Sequence, residues 1–103
     1  MDDMSGNFVV ILHAGNAKTQ CLQAVDYAEE GEFEKAQECL ENAQQEINEA
    51  HKGHSDSLVK IANGEAVAVD VILIHAQDHL TSATTLHLMA EKMVRMYQRI
   101  QER

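Results

Sequence analysis

The chain has 103 residues, no proline, 4% aromatic residues and a formal net charge of −9 at pH 7. This composition argues against a β-rich fold, and the charge argues against nucleic acids and anionic membranes as partners. A chain of this length buries a single modest core, so we expect residues 1–103 to form one all-α domain.

The start of the chain and its two cysteines indicate the compartment. Residues 1–4 read Met-Asp-Asp-Met, which is acidic and lacks the basic-then-apolar pattern of an export signal. There is no run of about 18 apolar residues that could span a bilayer. Cys21 and Cys39 match no metal-finger or CxxC spacing. We therefore expect both thiols to be reduced, in a cytoplasmic protein.

The first predicted element is an amphipathic helix from about Gly6 to Glu30, which follows a frayed tail over residues 1–5. Gly15 lies inside this helix, where glycine costs about 1 kcal/mol relative to alanine. It either permits close approach of another backbone or marks a weak spot. Gly31 predicts the end of the helix. The apolar positions recur mainly at steps of three and four and are Phe8, Ile11, Leu12, Gly15, Leu22, Val25 and Ala28.

The second predicted helix runs from about Glu32 to Ala62. Its opposite face is rich in glutamate and lysine and is expected to be solvated. The segment Asn63-Gly64-Glu65 predicts the break that follows. The apolar positions of the second helix recur on average every 3.5 residues, as in helical bundles. They are Phe33, Ala36, Leu40, Ala43, Ile47, Ala50, His54, Ser57 or Leu58, and Ile61.

The third predicted helix begins between Ala66 and Asp70 and runs to about Gln101. One apolar stripe again has a mean spacing of 3.5 residues and comprises Ile72, Ala76, His79, Ala83, Leu86, Ala90, Met93, Tyr97 and Ile100. A second line comprises Val71, Ile74, Asp78, Thr81 or Ser82, Thr85, and Leu88 or Met89. Three such helices joined by short turns predict an antiparallel three-helix bundle. Its core cannot use the second line fully, so we expect self-association through this helix, with Asp78 near the seam.

Two histidines and an aspartate share one narrow arc of the third helix. Because a helix turns about 100° per residue, Asp78 and His79 lie on either side of His75 within about one turn. A lone histidine on an apolar face is usually a buried neutral side chain. A carboxylate on a partly apolar stripe, however, needs a partner, a proton or a cation.

Two kinds of chemistry suit this arc. The arc offers metal ligands, which His51 and His54 of the second helix could complete, although the spacing is not a recognised zinc signature. Alternatively, a neutral imidazole attacks phosphorus readily near pH 7. It then needs a partner that holds the ring and donors for the phosphoryl oxygens. His79, Gln77 and the two helix-two histidines are candidates for these roles.

The segment from Val71 to Leu80 resembles the phosphorylation site of a known family. Its sequence, Val-Ile-Leu-Ile-His-Ala-Gln-Asp-His-Leu, is similar to that of one class of IIA component in the bacterial phosphoenolpyruvate-dependent sugar phosphotransferase system, the lactose/cellobiose (chitobiose) class. The resemblance extends over nearly the whole chain. Further similar stretches are Phe8 to Lys18, with its Ala14-Gly15-Asn16-Ala17 element, Ala28 to Ala36, and Asn48 to His51.

The resemblance implies an up-down-up three-helix bundle that assembles as a homotrimer. His75 matches the histidine that accepts a phosphoryl group on Nε2 from the phosphocarrier HPr and passes it to a cysteine of the IIB component. The membrane component IIC then imports the sugar, which leaves phosphorylated. Asp78 matches an aspartate on the trimer axis. Three carboxylates there need protons or a shared divalent cation, for which we expect Mg²⁺.

The roles of the remaining candidates follow from the same resemblance. We expect His79 to orient the His75 ring or to contact the phosphate, with Gln77, His51 and His54 as further contacts. Many family members have glutamine and threonine where this chain has His54 and Ser55, and the family often has methionine at the position of Thr81. His54 would then replace the glutamine as a phosphoryl contact, with a pH dependence that glutamine lacks.

The expected cargo is a β-linked disaccharide, either cellobiose/chitobiose or lactose, and the alanine that follows His75 favours the first. No organic cofactor is expected, because the chain has no glycine-rich phosphate loop. The alternative function is a metal-binding helical adaptor without catalysis.

Overall fold

The computed structural model describes residues 2–65 and 71–102, which form three α-helices. Helix α1 spans Asp2–Glu29, α2 spans Phe33–Ala62 and α3 spans Val71–Glu102. No strand occurs in this described part, so the predicted all-α fold with three helices is confirmed. The bundle is elongated, measuring 57 Å along its longest axis and 20 and 18 Å across it.

The two predicted glycine breaks both end helices. Gly31 has a φ of 79° and Gly64 a φ of 78°, a conformation that glycine adopts without steric cost. After α1, the N–H of Gly31 donates to the carbonyl of Ala28 at 3.0 Å and that of Glu32 to Tyr27 at 2.9 Å. This is the Schellman pattern, which satisfies carbonyls left free at the helix end.

The helix starts differ from the sequence prediction at α1. The expected frayed tail over residues 1–5 is wrong from residue 2 onward, because α1 already begins at Asp2. Residues 2–5 contain neither proline nor an interrupting glycine, so nothing in them stops the helix from continuing towards the N-terminus. Residue 1 and the predicted start of the third helix, at 66–70, lie outside the described residues.

The core uses a face of α1 that only partly matches the predicted one, since Ala28 is buried as expected but other predicted positions are not. Phe8, Leu12 and Leu22 were expected inside, but they are 52%, 59% and 56% exposed. Since α1 is apolar on two faces, periodicity alone could not choose between them. The buried face carries smaller side chains, which let the neighbouring helices approach closely. Its buried residues are Asn7, Val10, Ala14, Ala17, Cys21, Ala24 and Ala28.

The stripe of α2 was predicted correctly over most of its length. Cys39 is buried in addition, whereas Leu58 is exposed. The side chains of Ser57 and Ile61 lie outside the described residues. The predicted positions that are buried are Ala36, Leu40, Ala43, Ile47 and Ala50.

The buried stripe of α3 follows the predicted one for about half of the helix and then diverges. A straight helix repeats every 3.6 residues, so a stripe predicted with a spacing of 3.5 residues rotates away from the core along the chain. Met93 and Ile100 are therefore exposed rather than buried. The second apolar line, which includes Val71, Ile74, Leu88 and Met89, is exposed as well. The buried residues are Ala76, Leu80, Ala83, His87, Ala90 and Val94.

Both cysteines are free and buried, as predicted for reduced thiols. Burial, with a smaller contribution from Glu91, raises the pKa of Cys21 to about 11. Burial also raises the pKa of Cys39. Among the described helices, none is long and apolar enough to cross a membrane.

Candidate functional site

The candidate site lies near the start of α3, where His75 and His79 are separated by one helical turn. Side chains four residues apart lie on the same face of a helix, and here the two Nε2 atoms are 3.1 Å apart. The rings meet edge to face, with centroids 4.4 Å apart and an interplanar angle of 89°. The His75 side chain is exposed. Its imidazole is therefore open to an incoming group while a second ring contacts it.

Helix α1 adds Lys18 to this pair. Its Nζ lies 3.0 Å from Nδ1 of His79. Lys18 was not predicted from the sequence, because 61 positions separate it from His79 and no periodicity connects different helices. One signal was present in the sequence, since Lys18 is the only lysine or arginine in α1.

The surroundings of His79 favour its neutral form. Partial burial is the main cause that lowers the pKa of its imidazole, followed by the charges of Lys18 and His75, while Asp78 opposes them. Because a histidine ordinarily titrates near pH 6.5, a lowered pKa leaves His79 neutral at pH 7. A neutral imidazole has one N–H donor and one acceptor nitrogen.

Gln77 and His54 form a second contact between α3 and α2. The Gln77 amide nitrogen lies 3.0 Å from Nε2 of His54 and also contacts its Nδ1. Burial and then the nearby His51 lower the pKa of His54. The structure therefore joins His54 to Gln77, which is two residues from His75. His51 is exposed one turn earlier on α2.

Asp78 is exposed on the outer side of α3, along the second apolar line. Within residues 2–65 and 71–102, no three side chains of the histidine, cysteine, aspartate and glutamate types converge to hold a metal ion. These residues therefore do not form the single-chain metal site that the sequence offered. A carboxylate oxygen does suit Mg²⁺, and copies of Asp78 from several chains could supply such ligands together.

Two other histidines make structural contacts away from the site. His13 on α1 meets the Glu46 carboxylate on α2 at 2.5 Å. His87 is buried, and its Nε2 lies 3.0 Å from the carbonyl oxygen of Leu40. Both rings are thus engaged in holding the helices together, which is the usual role of a histidine in a core or at its edge.

Comparison with a family model gives a match over most of the chain. The model described as "PTS system, Lactose/Cellobiose specific IIA subunit" matches residues 6–98. These residues include the whole His75 segment, together with Lys18, His51 and His54.

Individual relatives and a solved structure agree with this match. The lactose-specific EIIA component of Lacticaseibacillus casei is 41% identical over 95 residues, covering 92% of this chain and 85% of that protein. The cellobiose-specific EIIA component of Lactococcus lactis is 38% identical over 101 residues, covering 97% of this chain and 87% of that protein. The crystal structure of the cellobiose-specific enzyme IIA of Bacillus anthracis superposes with a TM-score of 0.97 at 32% identity, covering 100% of this chain and 94% of that one.

Proposed function

Because the chain belongs to the lactose/cellobiose-specific IIA family of the sugar phosphotransferase system, we propose that His75 is the residue that carries its phosphoryl group. Members of this family are phosphotransferase components that carry phosphoryl groups in sugar uptake. The observation that supports His75 most is its geometry. Its ring is exposed, and its Nε2 lies 3.1 Å from the Nε2 of a second imidazole.

The proposed reaction is a displacement at phosphorus. The lone pair on Nε2 of neutral His75 attacks the phosphoryl group of phosphorylated HPr. The new N–P bond forms as the bond to the donor's histidine breaks, and the donor ring takes back its electron pair. The same exchange then passes the group to a cysteine thiolate of the IIB component. Positioning and charge stabilisation supply most of the catalysis in such transfers.

His79 is the proposed partner of the transferred group. Its Nε2 lies close enough to the reacting nitrogen that a small rotation lets its N–H donate to a phosphoryl oxygen. Gln77, His54 and His51 are proposed as weaker contacts. They are supported by the link between Gln77 and His54, which brings an α2 imidazole beside the start of α3.

For the assembly, we propose an up-down-up bundle and a homotrimer. The bundle is supported by contacts between α1 and α2 that run in opposite directions along the two helices. His13 of α1 meets Glu46 of α2, and the earlier Val10 lies against the later Gly53. The trimer is supported by the exposed second apolar line of α3. In it, Asp78 from each subunit would bind a shared divalent cation, proposed to be Mg²⁺, which offsets the repulsion between the carboxylates.

The proposed partners and cargo follow the family. HPr is the donor, IIB the acceptor and membrane-bound IIC the sugar carrier, so the protein would work in the cytoplasm. The net charge of −9 suits donor and acceptor surfaces with basic rims and disfavours nucleic acid. The cargo is proposed to be a β-linked disaccharide, since two similar relatives are named for lactose and cellobiose. No organic cofactor is proposed.

Mass spectrometry of the intact protein tests the proposal. Incubation with phosphoenolpyruvate, enzyme I and HPr should add one acid-labile phosphate to the wild type and none to His75→Ala. The matched control is His13→Ala, which removes a histidine distant in sequence from the α3 segment and should still be phosphorylated. A folded His75→Ala protein that gains the phosphate would overturn the assignment. A wild type that gains none would favour the metal-binding adaptor instead.

A further inference from the structure

Building on the proposed function, we propose that Lys18 is a positioning residue that selects Nε2 of His75 as the reacting nitrogen. It would do so without touching the phosphoryl group. Lys18 fixes the position of the proton on His79, and His79 in turn fixes the position of the proton on His75.

The first step is the contact between Lys18 and His79. A lysine ammonium has three donors and no acceptor, so at 3.0 Å from Nδ1 of His79 it must donate. Nδ1 of His79 is then the acceptor and bears no proton. A neutral His79 consequently carries its only N–H at Nε2. In a doubly protonated His79, the Nδ1–H would be a donor that faces the Lys18 ammonium, which is also a donor.

The orientation of the His79 ring is fixed by the same contacts. Nδ1 faces Lys18 on α1 and Nε2 faces His75 on α3. Turning the ring over would exchange these nitrogens for carbons and lose both hydrogen bonds. The His79 ring can therefore satisfy both neighbours in one orientation and one tautomer only.

The second step is the contact between the two imidazoles. The Nε2–H of His79 donates to Nε2 of His75 across 3.1 Å. The acceptor nitrogen must hold a lone pair, so neutral His75 carries its proton on Nδ1. The nucleophilic lone pair is thereby assigned to Nε2, on the side where His79 can contact the incoming group. Without the cation, His79 could place its proton on either nitrogen, and His75 would lose this constraint.

Lys18 is well suited to such a role. It is the only lysine or arginine of α1, and its side chain is partly buried against His79 rather than extended into solvent. This placement favours a His79 with a single, directed N–H.

The test follows the imidazole nitrogens directly. Long-range ¹H–¹⁵N correlation spectra of the full chain labelled with ¹⁵N-histidine distinguish protonated from unprotonated ring nitrogens, and are recorded above pH 7.5. In the wild type, His75 should show an unprotonated Nε2 and a protonated Nδ1. In Lys18→Met, which keeps a linear side chain without a donor, both nitrogens should move towards averaged shifts.

Two further variants separate hydrogen-bond direction from simple packing. Lys18→Arg keeps a donor without an acceptor and should retain the wild-type pattern. Lys18→Gln can donate or accept and should give a mixed pattern. The control Lys52→Met removes an exposed lysine that pairs with Glu49 on α2 and should leave the His75 signals unchanged. If Lys18→Met does not fold, the Gln variant provides the same comparison.

Phosphoryl transfer supplies the second readout. Lys18→Met should slow transfer from HPr to His75 about tenfold, the equivalent of one hydrogen bond to a charged group, and Lys18→Arg should restore it. Unchanged His75 nitrogen shifts in both Lys18→Met and Lys18→Gln would overturn the proposal. A wild type that accepts no phosphate would overturn the proposed function instead, while the spectra of the unphosphorylated protein would still decide the role of Lys18.

Discussion

His54 lies on α2, where the Gln77 amide of α3 contacts its ring. Burial and His51 lower the pKa of its imidazole, so it is neutral above about pH 6.5 and gains a proton only as the pH falls further. A phosphoryl group that arrives beside a cationic imidazole is attracted more strongly than one beside a neutral ring. With His54 as the proposed phosphoryl contact, we expect the site to have a pH dependence that a glutamine could not give.

Substitution of His54 by glutamine isolates this pH dependence. Effects of pH that are common to both proteins cancel in the ratio of the wild-type transfer rate to that of His54→Gln, so this ratio is the informative quantity. We expect this ratio to rise as the pH falls from about 7.5 to 5.5. The measurement is the rate of phosphoryl transfer from HPr at each pH. A constant ratio across the range would mean that the charge of His54 has no effect on the transfer of the phosphoryl group.

At the scale of helices, the absence of a side chain at Gly53 of α2 leaves room for Val10 of α1. A methyl group placed on Gly53 would lie 2.8 Å from Cγ2 of Val10, a buried and rotationally stiff side chain. A methyl group placed on Gly15 would meet no heavy atom of the described chain within 4 Å. The two glycines lie in the interiors of different helices, but only Gly53 is needed for packing within the subunit.

Two alanine substitutions should therefore have opposite effects on stability. Gly15→Ala should raise the free energy of unfolding by about 1 kcal/mol, because alanine is the better helix former. Gly53→Ala should lower it by about 1–3 kcal/mol, because overpacking outweighs that gain. Urea unfolding followed by circular dichroism measures both changes.

A third variant identifies the cause of the loss at Gly53. In a Val10→Ala background the clash is removed, so Gly53→Ala should cost much less than it does alone. An equal cost in both backgrounds would exclude Val10 as the obstacle. A loss of stability in Gly15→Ala would mean that another chain approaches that backbone, which was the first of the two explanations for the glycine.

The sequence predicted those features of the helices that are decided locally. Gly31 and Gly64 ended helices as expected, because a left-handed residue at a helix end is a matter of a few neighbouring atoms. The choice of the buried face of α1 was not local. Both of its faces are apolar, and only contact with α2 and α3 selects the alanine-rich one.

In the candidate site, too, contacts within one helix were predictable from the sequence and contacts between helices were not. His75 and His79 share a helix, so their spacing alone predicted that they meet. The contacts of Lys18 with His79 and of His54 with Gln77 cross between helices, and their geometry depends on how the helices are rotated about their axes. His54 was a candidate from its residue type alone, whereas no feature of the pattern distinguished Lys18 from the other lysines as a contact of His79.

At the scale of the whole molecule, the subunit leaves much apolar surface uncovered. The outer line of α3 exposes Val71, Ile74, Leu88 and Met89, with Asp78 between the two pairs. Large exposed apolar areas mark interfaces, and a carboxylate within such an interface must be neutralised. A homotrimer that joins these lines around a cation would satisfy both requirements.

Removal of divalent metal tests this assembly. In the wild type, EDTA should shift the trimer towards monomers, because the clustered Asp78 carboxylates then repel one another. Asp78→Leu should remain trimeric and lose its sensitivity to EDTA, since leucine extends the apolar line. Analytical ultracentrifugation with and without added Mg²⁺ measures both states. If Asp78→Leu dissociated into monomers, the carboxylate would have to bond across the interface in another way.

The burial of Cys21 and Cys39 has a consequence for encounters with a partner that uses a reactive sulfur. Burial raises the pKa of the Cys21 thiol to about 11, so this thiol is protonated at pH 7, and only thiolates attack disulfides readily. In the proposed pathway this protein repeatedly meets the acceptor's cysteine. Since its own sulfurs are enclosed and protonated, each encounter can end in release of the acceptor rather than in a mixed disulfide, even under mild oxidation.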